Sequence, residues 1–145
     1  MSDRNFFLLL AITIVVLIVI IVTNSYRHME GVEILTDRTE YKIGDPLKVK
    51  IENKGDDKLC FSSCYPYYIE KKNGGWKSYN YIACSQDNKV ERCIDPKEVK
   101  AFELTVPPIE KGEHRLAIPA CVGCQIQEEF ESDKWFYSNE FKINF

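Results

Sequence analysis

Leu47-Lys48-Val49-Lys50-Ile51-Glu52 alternates apolar and charged side chains residue by residue. Such alternation belongs to a β-strand with one buried and one wetted face, because successive side chains of an extended chain point to opposite sides. Gly44-Asp45-Pro46 turns the chain into this strand and Asn53-Lys54-Gly55-Asp56 turns it out, with Asn and Gly expected to supply positive φ. Upstream, Val32–Leu35 and Glu40–Ile43 flank a polar stretch and read as a split first strand. Downstream, Leu59–Phe61 and Tyr67–Lys72 are two strand pieces separated by Cys64-Tyr65-Pro66, where the proline breaks a continuous ladder.

Asn73-Gly74-Gly75 forms a hairpin into Trp76–Tyr81, and the polar stretch from Ile82 to Pro96 reads as a loop bracketed by Cys84 and Cys93. Glu98–Val106 is a strand with Phe102, Leu104 and Val106 inward, ended by Pro107-Pro108. Lys111-Gly112 opens the next, with Leu116 and Ile118 inward, and Trp135, Tyr137, Phe141, Ile143 and Phe145 alternate along a last strand. Roughly seven or eight short strands with turns between them predict an all-β, two-sheet antiparallel sandwich over residues 32–145.

Phe6 to Val22 is an apolar run interrupted only by Thr13. As a helix it spans about 25 Å, slightly short of a hydrocarbon core of about 30 Å, and Thr23 and the polar flanks close the gap. The run predicts an uncleaved transmembrane signal-anchor over residues 6–23, contacting the bilayer through Phe6–Thr23. Residues 1–5 form a cytoplasmic tip and residues 24–31 a short linker. A cleavable secretory leader competes, but Arg4 only offsets Asp3, no A-x-A follows the run, and the nearest small-residue site, Thr23-Asn24-Ser25, is a poor one. The expected location is the cell membrane, single-pass, with the C-terminal domain extracytoplasmic.

The formal charge of −3 falls wholly on the part after the anchor, since Asp3 and Arg4 cancel. A mildly acidic module without Lys/Arg clusters is a poor partner for nucleic acid. No cofactor motif and no catalytic set appears, and neither His28 nor His114 stands in a nucleophile context, so the chain is expected not to be an enzyme. Glu128, Glu129, Glu131 and Asp133 lack the ligand spacing and turn glycine of a calcium loop and read as a solvated face. Tyr65, Tyr67, Tyr68 and Trp76, with Tyr79 and Tyr81, concentrate aromatic surface on two adjacent strands. They are candidates for binding a protein or a glycan, although period two also turns alternate members into the core.

Several frames resemble the bacterial immunoglobulin-like (Big-type) domain family. They are Tyr41-Lys-Ile-Gly-Asp-Pro, Lys48-Val-Lys-Ile-Glu-Asn53-Lys-Gly-Asp56, Tyr68-Ile-Glu-Lys-Lys-Asn-Gly-Gly-Trp76, Ile94-Asp-Pro-Lys-Glu98 and Lys111-Gly-Glu-His-Arg-Leu116. More distantly the chain is similar to Ig-like proteinase-inhibitor modules. The resemblance covers Val32 to Phe145 and implies an Ig-like fold. Two departures stand out: Lys97 replaces the family's glycine after Pro96, and His114 stands where a corner tyrosine is customary.

Cys60, Cys64, Cys84, Cys93, Cys121 and Cys124 are an even number, which in an exported chain predicts disulfides. Cys60 and Cys64 on one extended strand stand about 13 Å apart, too far to bond each other unless the chain bends. In the Ig-like topology that the resemblance implies, the strand of Cys60 neighbours the strand ending at Cys121. The expected pattern is therefore Cys84–Cys93, with Cys60 and Cys64 joined to Cys121 and Cys124. A four-thiolate zinc site from Cys60, Cys64, Cys121 and Cys124 competes, as does a redox pair at Cys121-Val-Gly-Cys124. The resulting expectation is a membrane-anchored, extracytoplasmic Ig-like binding module without a metal. Its alternatives are a proteinase-inhibitor-like module presenting the Cys60–Tyr68 loop, and a thiol redox or zinc-binding domain acting through Cys121 and Cys124.

Overall fold

The computed structural model describes residues 13–14, 31–79 and 83–145. The chain divides into two units, Met1–Gly31 and Val32–Phe145. The expected tip at 1–5, anchor at 6–23 and linker at 24–31 lie outside the described residues, Thr13, Ile14 and Gly31 excepted. Among the described residues no helix is long and apolar enough to cross a membrane.

The second unit is all-β, as the alternation predicts, and consists of two sheets. In the smaller, β1 (Val32–Thr36), β3 (Pro46–Asn53) and β8 (Val99–Thr105) lie in the order β1-β3-β8, antiparallel throughout. The larger is built around β9 (Gly112–Val122), eleven residues long. On one side β9 meets β11 (Phe141–Asn144) and then β10 (Lys134–Tyr137). On the other it meets β5 (Tyr68–Lys72) and then β4 (Leu59–Ser62). β2 (Glu40–Lys42) pairs with β11 in parallel, β6 (Trp76–Tyr79) with β5, and β7 (Val90–Ile94) with β4. The split first strand thus serves both sheets, β1 in one and β2 in the other.

Leu47, Val49 and Ile51 are buried as their alternation requires, facing Leu116, Ile118 and Ile69 from the opposite sheet in one core. Ile69 on β5 and Leu116, Ile118 and Ala120 on β9 enter that core; the β9 residues between them and their neighbours Tyr68 and Glu70 on β5 form the outer face of the larger sheet. Pro119 lies in this central strand, where proline is normally excluded. Ala120 accepts from the Asp133 amide on the β10 side, so the proline nitrogen points the other way, toward the interval between β4 and β5 where no strand pairs. The break around Pro66 and the missing N–H of Pro119 therefore face each other.

Three sequence expectations are corrected by this topology. Residues 90–94, read as part of a loop, form β7, because Val90 and Ile94 are buried when the segment lies along β4. The positive φ expected at the Asn53–Asp56 turn is absent from Asn53 and Gly55. Asn53 shapes that turn with its side chain instead, accepting from the Gly55 amide at 3.1 Å. Finally, the alternation along the last strand inverts at Ser138-Asn139-Glu140. There Ser138 Oγ accepts from the Leu116 amide, and the Ser138 amide donates to the Leu116 carbonyl. The irregularity keeps Phe141 and Ile143 inside but turns Trp135 and Tyr137 outward, with Phe136 taking the inward position.

Candidate functional site

The outer face of the larger sheet carries two adjoining features, an aromatic strip and a cluster of sulfurs. In the strip, Ala117 lies in register between Tyr68 on β5 and Tyr137 on β10, and Pro119 beside Trp135. Small residues on the central strand let the large flanking rings close over it. Tyr65 stacks on Tyr68 at 5.7 Å between centroids, and Tyr68 meets Trp135 at 5.4 Å. Burial, followed by the neighbouring Tyr65, holds the Tyr68 phenol above its ordinary pKa, so its hydroxyl stays protonated. The Arg115 guanidinium lies 3.8 Å from the Tyr137 ring centroid and 4.2 Å from that of Trp76, bridging the two rings. Glu70 fixes it there, its carboxylate accepting from Arg115 Nε at 2.8 Å and from Ser78 Oγ at 3.1 Å.

Despite this bracing, Trp135 and Tyr137 each keep 46% of their surface in solvent. Rings held in place by neighbours yet open on one face lose little side-chain freedom when a ligand covers them. Of the residues singled out from sequence, Tyr65, Tyr68 and Trp76 belong to the strip. Tyr67 does not: it turns between the sheets, stacks on Phe102 at 5.9 Å, and lines a cleft of about 450 Å³ with Pro66 and Arg92. Trp135, Tyr137 and Arg115 are members that the alternation concealed. The visible signal was Ser138-Asn139, a pair with turn chemistry inside an otherwise continuous strand pattern.

The cysteines pair as Cys60–Cys93, Cys64–Cys84 and Cys121–Cys124, which corrects the expected pattern. Cys60 does stand opposite Cys121, but β7 on its other flank sets Cys93 opposite it too. Cys60 and Cys93 have Cα atoms 4.1 Å apart and bond across the strands. Cys64 lies past the bend after β4, where Ser62 Oγ accepts from the amides of Cys64 and Tyr65, and this bend aims it at Cys84. The Cys84 amide donates to the Tyr65 hydroxyl, tying the bridged loop to the aromatic strip.

The loop after β9 folds back over the first sulfur pair. Its backbone bonds to β7 and the loop before it (Gln127 N to Val90 O, Phe130 N to Asn88 O), and Phe130 packs with Cys60, Val90 and Cys121 in a small second core. The acidic residues there shape the loop: Glu128 accepts from the Gln125 amide at 2.7 Å and Asp133 from the Val122 amide at 3.0 Å. The four cysteines considered for zinc are not brought together, since Cys64 is bonded to Cys84. Among the described residues the one group of potential ligands is Cys121, Cys124 and Asp133, and its two sulfurs are bonded to each other.

No family model matches the chain, and no curated protein matches it. Among solved structures the chain is similar to Pseudomonas fluorescens alkylpurine DNA glycosylase AlkC bound to DNA containing an abasic site analog. The identity is 13%, over 78% of this chain and 30% of that one, with a TM-score of 0.36. A likeness at that level carries no argument about activity.

Proposed function

We propose that this chain is a membrane-anchored, extracytoplasmic, non-enzymatic binding module of the bacterial immunoglobulin-like type. Its ligand, a protein or a glycan, docks on the outer aromatic strip of the larger sheet. The Ig-like reading is supported by the three-strand sheet β1-β3-β8 facing a sheet in which the split first strand pairs in parallel with the last. The membrane reading rests on the apolar run Phe6–Thr23. The extracytoplasmic reading rests on that run together with three disulfides, which persist in oxidising compartments.

One observation carries the binding reading: Trp135 and Tyr137 stand half in solvent beside Tyr68 and Trp76, on strands rather than loops, with Arg115 and Glu70 bracing them. Exposed aromatics of this kind anchor interfaces, and only a few of them need carry the affinity. The test is to probe glycan and peptide arrays with the detergent-solubilised full-length chain and with its Trp135→Ala/Tyr137→Ala variant. Loss of two anchor rings is expected to weaken a genuine ligand by about thirtyfold or more. A ligand bound equally well by the variant, or arrays silent for the native chain, would remove the strip from its proposed role.

A further inference from the structure

We propose that Cys124, Cys121, Cys60 and Cys93 form a disulfide relay, in which an incoming dithiol that attacks at Cys124 is oxidised and Cys93, at the far end of the row, is released as a thiol. The strand register carries the argument. Cys93, Cys60 and Cys121 stand abreast on three neighbouring strands, Cys60 being opposite both of the others. Residues directly opposite on antiparallel strands project to the same face, so the Cys60 sulfur has Cys93 on one side and Cys121 on the other. Cys60 Sγ also lies 3.2 Å from the carbonyl oxygen of Cys124, which places the second bridge against the first.

Burial marks where the row can be entered. Cys60 and Cys121 are almost wholly buried, at 0% and 3% exposure, whereas Cys124 and Cys93 at the two ends are half-buried. A dithiol therefore enters through an end sulfur, and entry at Cys124 frees Cys121, the sulfur that stands beside Cys60. Its thiolate attacks Cys124 Sγ, forming a mixed disulfide and releasing Cys121 as a thiolate. A thiolate buried there is poorly solvated, and its neighbour across the ladder is Cys60. Attack on Cys60 Sγ forms Cys60–Cys121 and breaks Cys60–Cys93, and Cys93 leaves as a thiolate that takes a proton from solvent. The second thiol of the dithiol then attacks its own sulfur in the mixed disulfide, closing a cyclic disulfide and freeing Cys124, which is protonated in turn. The dithiol has lost two electrons, the protein has one bridge fewer, and the surviving bridge joins the two buried sulfurs while both thiols sit where water reaches them. Cys64–Cys84 has no place in the register and is a bystander.

The experiment treats the full-length chain in detergent with an equimolar amount of dithiothreitol, quenches in acid, alkylates the free thiols and maps bridges by mass spectrometry. The expected species with two bridges carries Cys60–Cys121 and Cys64–Cys84, with label on Cys93 and Cys124. Label on Cys121 and Cys124 with Cys60–Cys93 retained, or any other labelled pair, overturns the relay. The variant Cys124→Ser tests the central step without added reductant. Its one free thiol is expected to shift from Cys121 to Cys93, and a thiol that stays on Cys121 overturns the proposal.

Discussion

Asn53→Ala removes a side chain that ties three segments together at the end of β3. The residue is buried, and its amide nitrogen donates to the carbonyls of Asp57 at 2.8 Å, Ile94 at 3.1 Å and Asp95 at 3.2 Å. Its oxygen accepts from the Gly55 amide. The backbone bonds of Asn53, to Glu98 and from Lys97, do not depend on the side chain and survive the change. A net intramolecular hydrogen bond contributes about 0.5–1.5 kcal/mol, toward the low end where water replaces the lost partner. The amide has two protons for these three carbonyls, so one is shared, and only the contact with Ile94 is fully shielded; with the bond from Gly55 the side chain contributes about 3 kcal/mol. For a domain of this size that loss lowers the melting temperature by about 12 °C. Thermal unfolding of the full-length chain in mild detergent, followed by far-ultraviolet circular dichroism with the disulfides intact, measures it directly. Asn53→Asp sharpens the test, because it keeps the acceptor for Gly55 but points a carboxylate at three carbonyl oxygens. It is expected to melt no higher than the alanine variant. An alanine variant within about 1 kcal/mol of native, or an aspartate variant clearly more stable than it, would refute the role given to the amide.

Three further outcomes follow from the same structure. His114 is fully buried, with Nδ1 2.9 Å from the Gly112 carbonyl and Nε2 without a partner among the described residues; burial, the largest influence, holds its pKa below the usual range. The unfolded chain then takes up a proton near pH 6.5 that the folded one refuses, so this contribution to stability is present above about pH 6.5 and is lost as pH falls toward the folded value. Urea midpoints at several pH values should show that loss in the native chain and a reduced slope in His114→Phe; equal slopes would contradict it. Lys97 has a φ of +64°, the left-handed conformation natural to the glycine it replaces in the resembled family. Lys97→Gly is expected to raise stability by about 0.5–1 kcal/mol after loss of its exposed contacts with Asp56 and Lys54, and a lowered denaturation midpoint would count against this. Arg115→Lys keeps the charge but not the plane that lies against Trp76 and Tyr137, and should cost about 1 kcal/mol with a changed near-ultraviolet spectrum. An unaltered spectrum would show that the guanidinium does not order those rings.

The core was legible because Leu47, Val49, Ile51, Leu104, Leu116 and Ile118 lie on strands that keep period two from end to end. Trp135 and Tyr137 were misplaced because a hydrogen-bonded irregularity at Ser138 shifts the parity, and such a shift leaves only a faint trace in composition. The cysteine pairing was beyond reach for a related reason. Spacing along the chain does not say that β7 runs beside β4, and only that adjacency sets Cys93 against Cys60. Asn53 was recognised as a turn residue, but that its side chain spans to Ile94 depends on a segment far away in sequence. Lys97, by contrast, stands out only after Pro96 in a turn, and its positive φ is a conformation that composition does not announce for a lysine.

β9 touches four other strands, two of them made much earlier in synthesis and two made after it. A chain produced from its N-terminus therefore holds β4 and β5 with open edges until residues past 112 arrive. Such dependence on distant neighbours slows folding and prolongs the exposure of sticky intermediates. It also means that trimming the last dozen residues would not shave off an ornament. It would leave the keystone strand bare along one whole side.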